Sequence, residues 1–161
     1  MRCEAILLAL LLGQPPVSGP ASATAALSVS VGSHGRVSFT SLTLVFPNAN
    51  PDQVPVVPAA PAAIAVAARA RTPPNAQVTL TVQTADDLRS GTATLPASLI
   101  AWEATGPGFV PGTLSRDEAS LVATWTGSGV HAGSQQYGFQ NSWSHPPGTY
   151  SVTIVYTMSM P

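Results

Sequence analysis

Apolar and polar residues alternate along most of this chain with a period of two, which is typical of β-strands with one buried face. The clearest stretch is Gln77–Thr84, in which Val78, Leu80 and Val82 alternate with glutamine and threonine. Helical periodicity is almost absent. Similar patterns predict strands at 26–31, 37–46, 63–70, 98–104, 120–126, 135–142 and 149–158, although the alanines of 63–70 would also permit a helix.

Three stretches modify this simple pattern. The apolar positions change phase within 37–46, which predicts a β-bulge near Thr40–Ser41. Five prolines interrupt 47–61, so we expect an extended crossover or surface loop there. The spacing of Ser115 and Glu118 matches a capping box and predicts one helical turn.

The last predicted strand has the most regular alternation. One face of 149–158 carries tyrosine, valine and isoleucine, and the other carries mostly serine and threonine. We therefore expect this strand to lie between two neighbours, with one face buried. Across the chain, the residues predicted to form the core are Phe39, Leu44, Val78, Leu80, Val82, Tyr150, Val152 and Ile154.

Seven to eight short strands, separated by glycine- and proline-rich turns, indicate an all-β protein. The fold class predicted from this count is an immunoglobulin-like antiparallel β-sandwich.

The N-terminus has the features of a secretory signal peptide. Arg2 precedes the apolar run 5–12, and Ala21-Ser22-Ala23 provides a small-x-small cleavage site. We predict a signal peptide at 1–23 and a single domain at 24–161, secreted or at the cell surface. The apolar run is shorter than the roughly 20 residues that span a bilayer, so we expect no membrane-spanning segment after cleavage.

Composition limits the chemistry of the exported part. The only cysteine is Cys3, inside the predicted signal, so we expect no disulfide. The chain contains no lysine, and residues 24–161 carry five arginines against six acidic residues. Nucleic acid is therefore not an expected partner.

No catalytic or cofactor motif stands out. Asp86-Asp87 and Asp117-Glu118 are adjacent acids in turn-like sequence, where backbone bonding is the usual role of aspartate. Nucleophile elbows, zinc-protease motifs and phosphate loops are absent from the sequence. We predict no enzyme activity, no cofactor and no metal; convergence of the loop histidines (His34, His131 and His145) stays open as an alternative.

Aromatic residues near strand ends are the candidate ligand-binding groups: Trp102, Trp125, Trp143 and Tyr137. Exposed rings of this kind could stack on sugars, whereas buried rings would fill the core. Arg69 and Arg71 share one face of a predicted strand. They could form a small anion-binding spot, or they could be the charges that keep a strand edge from aggregating.

The C-terminal part, about residues 98–161, resembles a group of small exported bacterial β-sandwich proteins of uncharacterised function. The resemblance is carried by SLIAWEATGPGFVPGTLS, ATWTGSG and QQYGFQNSWSHPPGTYSVTIVYTMSMP. The ending is also distantly similar to that of WxL-type surface domains, although the paired W-x-L tripeptides are missing. The resemblance implies an exported β-sandwich and assigns no functional residue.

The expected function is an exported, non-catalytic structural or surface-interaction module with a glycan or protein partner at the cell surface. One alternative is a carbohydrate-binding module that uses the aromatics named above. Another is a pilus-type subunit in which 26–31 completes the sheet of a second subunit, as in chaperone–usher pilins.

Overall fold

The computed structural model describes residues 26–161, which form eleven β-strands and one short 3-10 turn. The predicted signal peptide at 1–23 lies outside the described residues. Val31–Pro161 form one compact unit, and Ala26–Ser30 belong to a separate N-terminal unit. In chain order the strands are His34–Phe39 (β1), Val56–Pro58 (β2), Ile64–Arg71 (β3), Gln77–Thr84 (β4), Leu88–Ser90 (β5), Ala93–Leu95 (β6), Ile100–Thr105 (β7), Gly112–Thr113 (β8), Ser120–Thr126 (β9), Gly129–Gln140 (β10) and Ile154–Ser159 (β11).

The larger sheet is built around the long strand β10. Its strand order is β1-β3-β10-β7-β8, and β2 pairs with the C-terminal end of β10. All pairings are antiparallel, with Ala132 opposite Ala67 in β3 and Tyr137 opposite Trp102 in β7. One edge of this sheet is β1.

The smaller sheet has the order β11-β4-β9, also antiparallel. Its central strand β4 turns Val78, Leu80 and Val82 inward, each with 0% of its surface exposed. Strands β5 and β6 pair separately as a two-stranded sheet.

A single apolar core joins the two larger sheets. Val66 of β3, Leu80 of β4 and Val122 of β9 belong to the same cluster of buried residues. This confirms the prediction of an all-β protein with antiparallel sheets.

Several predicted strands agree closely with the structure. Strands β4 and β9 have the predicted bounds, and the alanine-rich 63–70 is the strand β3 rather than a helix. Ala68 and Ala70 are buried in β3, where their small side chains let the two sheets approach each other. The four strands of two or three residues (β2, β5, β6 and β8) were not predicted.

The strand predicted at 26–31 is absent. The described residues of this stretch have no sheet partner, and Leu27 and Val29 are 92% and 78% exposed. Alternation alone cannot form a strand, since the backbone hydrogen bonds must come from a neighbouring strand.

The stretch 37–46 is an interrupted strand rather than a strand with a bulge. β1 ends at Phe39, and the chain pairs again only at Val45, which bridges to Ala60. Between these points Leu42 points into solvent, 90% exposed, against the predicted inward phase.

The terminal strand lies at a sheet edge, so its predicted position between two neighbours is wrong. Among residues 26–161 β11 pairs with β4 alone, and its inward residues Ile154 and Tyr156 are half-buried instead of buried. The same holds for four other predicted core residues, Phe39, Leu44, Tyr150 and Val152, which pack against the core from its margin.

Two local predictions also need correction. The proline-rich 47–61 contains the short strand β2, which pairs with β10 where the sheet ends. Ser115 accepts hydrogen bonds from the backbone N–H groups of Asp117 and Glu118, but no helix follows. A capping box favours a helix only where the next residues continue it.

Candidate interaction site

Three of the four aromatic residues proposed for ligand binding are buried. Trp102, Trp125 and Tyr137 are 2%, 9% and 3% exposed. Trp102 packs on Gly112 and donates its indole N–H to the carbonyl of Val110 at 2.9 Å. These rings fill the core and offer no face to a sugar.

Trp143 is the exposed member of the set, with 70% of its surface accessible. Its indole N–H donates to the Asp52 carboxylate at 3.0 Å, which fixes the ring against the proline-rich segment. The carbohydrate-binding alternative therefore depends on Trp143 alone among the four.

The three histidines occupy different environments. His34 is exposed on β1, His131 stacks on Trp125 with 4.5 Å between ring centroids, and His145 packs near Phe139. Among residues 26–161 no group of three histidine, cysteine or acidic side chains is arranged to hold a metal.

The adjacent acids serve local structure. Asp86 and Asp87 pair with Arg89 and Arg116 at 2.7 and 2.9 Å. The Asp87 N–H and the Arg89 side chain both donate to Asp86, so its pKa lies below the ordinary aspartate value. The bonds that the Asp87 N–H donates to Asp86 and the Ala97 N–H donates to Asp87 agree with the backbone bonding predicted for these acids; the ion pairs were not predicted.

An apolar groove lies between the two larger sheets. β1 is an edge strand of one sheet and β11 of the other, and Phe39 meets Tyr156 with 4.5 Å between ring centroids. Beyond this contact the segments 41–46 and 150–154 separate. The resulting groove has a volume of about 440 Å³.

The chain conformation on either side keeps the groove open. Thr40 bonds to Ala65 and Val45 to Ala60, so the intervening residues leave the sheet. Ser151 bridges to Arg89, which draws the opposite wall toward the small β5–β6 sheet. In the part of the chain that the structure describes, no strand lies between these two walls, so the margin of the core is accessible.

The floor of the groove is apolar and comes from both halves of the chain. It includes Ile64 of β3, Ile100 of β7, Leu88 of β5 and Leu114. The walls add Leu44, Val152 and Ile154, which are only partly buried. Apolar surface of this kind gains free energy when a partner removes it from water.

A small polar network lies at the inner end of the groove. The hydroxyls of Tyr137 and Tyr156 form a hydrogen bond, and Tyr156 donates to the side-chain oxygen of Gln135 at 2.8 Å. Gln135 is fully buried, and its amide nitrogen has no partner among the described residues. Burial raises the pKa of both tyrosines above the ordinary value, and the proximity of Tyr156 raises that of Tyr137 further.

Sequence reasoning did not find this groove. Five of its lining residues (Phe39, Leu44, Tyr150, Val152 and Ile154) are predicted core residues, because alternation identifies the inward face of a strand but not whether another strand covers it. The signal that could have pointed to it was the phase change within 37–46, which marks the place where the wall leaves the sheet.

No family model, curated protein or solved structure matches this chain. Among residues 26–161 the structure contains no helix of the length and apolarity needed to cross a membrane.

Proposed function

We propose that this chain is an exported, non-catalytic structural module that joins a second copy of itself by strand addition, with 26–31 of one copy entering the groove of the other. The observation that carries the proposal is the edge of β11, which pairs with no second strand among residues 26–161 and lies beside an apolar groove. An added strand would satisfy the free backbone groups of that edge and cover the apolar floor.

The segment 26–31 has the properties of such a strand. Leu27, Val29 and Val31 alternate with alanine and serine, and all three are exposed, by 92%, 78% and 64%. The segment has six residues, and β11 also has six. Its apolar side chains would enter the groove, and its serines would face solvent.

The alternation of side chains between the two faces of a strand argues against a tight hairpin in which the segment pairs with β1 of its own chain. A two-residue loop at Gly32-Ser33 would place Val31 opposite His34 and Val29 opposite Arg36. Directly opposite residues share a face, and His34 and Arg36 lie on the exposed face of β1. The apolar side chains would then point into solvent, which disfavours such a hairpin on β1. For the edge of β11 we propose a second copy as the donor.

The wider class that we propose is an immunoglobulin-like β-sandwich at the cell surface. The shared core of the two larger sheets supports the sandwich, and the signal-like N-terminus at 1–23 supports export.

The test is the oligomeric state of the protein purified from the exported fraction, measured by light scattering during size-exclusion chromatography. We expect concentration-dependent oligomers for the parent and monomers for L27S/V29S. The matched control S28A/S30A changes the other face of the same segment and should assemble like the parent.

A second pair of variants tests the acceptor. Ile154→Ser alters the groove wall and should weaken assembly, whereas Val155→Ser alters the outer face of β11 and should not. Circular dichroism and melting curves establish that each variant is folded. The proposal would be overturned by a parent that is monomeric at every concentration. It would also be overturned if L27S/V29S and S28A/S30A changed the oligomeric state equally.

A further inference from the structure

The outer face of the larger sheet concentrates positive charge. One depression with a volume of about 480 Å³ is lined by His34 and by three of the five arginines outside the predicted signal, namely Arg36, Arg69 and Arg71. The other two arginines, Arg89 and Arg116, form ion pairs with aspartates. Among residues 26–161 no acidic side chain forms a salt bridge with the three clustered arginines.

Strand register places these four groups side by side. Arg36 of β1 is directly opposite Arg69 of β3, and His34 is directly opposite Arg71. Paired strands lie about 4.8 Å apart, and alternate residues along a strand are separated by about 6.6 Å. The four basic side chains therefore start from a patch about 5 by 7 Å, which is small enough for all of them to reach the oxygens of one phosphate group.

This arrangement costs stability in the absence of an anion. Like charges directly opposite each other in a sheet repel, and among residues 26–161 no carboxylate forms an ion pair with Arg36 or Arg69. Protection of a sheet edge explains Arg36, since β1 is an edge strand, but not Arg69 and Arg71, because β3 lies between β1 and β10. The charged-edge interpretation of Arg69 and Arg71 is therefore wrong.

We infer that the arginine face (His34, Arg36, Arg69 and Arg71) is a binding site for a single tetrahedral oxyanion, namely a phosphate group carried by a ligand outside the cell. Guanidinium groups bind phosphate oxygens in a bidentate manner, and three arginines around one concavity provide up to three such forks. Val130 of β10 is opposite Arg69 and 65% exposed, which supplies an apolar margin for the group that carries the phosphate. The site is independent of the groove.

The experiment titrates inorganic phosphate into the isotope-labelled exported protein and follows backbone amide signals by NMR, with sodium chloride holding the ionic strength constant. We expect saturable shifts in β1 and β3. R69Q/R71Q should weaken the affinity at least tenfold. The matched control R89Q/R116Q removes the same charge elsewhere and should stay within twofold of the parent.

Two further measurements identify the source of the phosphate. Binding to vesicles that contain phosphatidic acid, but not to pure phosphatidylcholine vesicles, would support a lipid headgroup if R69Q/R71Q abolishes it. Saturable phosphate binding without vesicle binding would support a soluble or glycan-linked phosphate. Shifts that grow linearly with phosphate, or an equal loss in the two double variants, would overturn the inference.

Discussion

The hydroxyl oxygens of Tyr137 and Tyr156 lie 2.5 Å apart and connect the centre of the larger sheet to the edge of the smaller one. Tyr137 belongs to β10 and Tyr156 to β11. Among residues 26–161 β11 has a backbone partner on one side, and this side-chain contact helps to hold its inward face against the core.

Tyr156→Phe tests that connection. The change leaves the Gln135 oxygen and the Tyr137 hydroxyl without their common partner, so we expect a loss of about 1–3 kcal/mol in the free energy of unfolding. Urea denaturation measures it. Tyr150→Phe is the control, because the Tyr150 hydroxyl donates to the exposed Pro146 carbonyl and its loss should cost less than about 1 kcal/mol. An equal loss of unfolding free energy in the two variants would show that the buried hydrogen bonds of Tyr156 add no more stability than the exposed bond of Tyr150.

Alkaline pH should destabilise the fold through the same pair. The folded pKa of each tyrosine is raised above its ordinary value of 10. The stabilising contribution is therefore complete below pH 10 and is lost as the pH rises through the folded pKa. We expect the unfolding free energy to fall above pH 10, and less so in Tyr156→Phe. Ultraviolet absorbance measures the ionisation of the tyrosines in the folded protein. If both Tyr137 and Tyr156 ionised near pH 10, the expected loss of stability at alkaline pH would be contradicted.

Core truncations should distinguish the centre of the core from the groove. Leu80→Ala removes a side chain with no exposed surface, and we expect a cost of about 2–5 kcal/mol. Ile154→Ala should cost less, because Ile154 is half-buried on the groove wall and leaves no closed cavity. Thermal and urea denaturation measure both. A larger loss for Ile154 would mean that the groove is closed in solution.

Gly112→Ala tests the packing of Trp102. A methyl group at this position would lie 2.5 Å from the indole ring, which is buried and held by its bond to Val110. The ring cannot move without loss of that bond, so we expect a destabilisation of about 1–3 kcal/mol. Gly32→Ala is the matched control, since a Cβ there meets no atom within 4 Å. A neutral Gly112→Ala would show that the ring can shift.

Sequence reasoning placed the inward residues correctly in β4, which has a neighbouring strand on each side. Val78, Leu80 and Val82 were predicted to be buried and are buried, because β4 lies in the middle of its sheet. Prediction was least accurate at the margins. Ile154 and Phe39 have the same alternating context, but each belongs to an edge strand and is only half-buried.

At the candidate sites, too, the sequence predicted some features and the tertiary structure decided others. The aromatic residues were proposed from their type, yet the tertiary fold decided that Trp102 is enclosed and Trp143 exposed. Arg69 and Arg71 were recognised as sharing a face, but sequence gave no means of placing Arg36 opposite Arg69, since register depends on which strands pair.

The alternation of side chains by itself determined that this is an all-β protein, because the two-residue period is a property of each extended segment. Only the tertiary structure decided which edges remain unpaired, where the groove opens and how the arginines converge. Those features depend on contacts between residues far apart in the chain, and no local pattern records them.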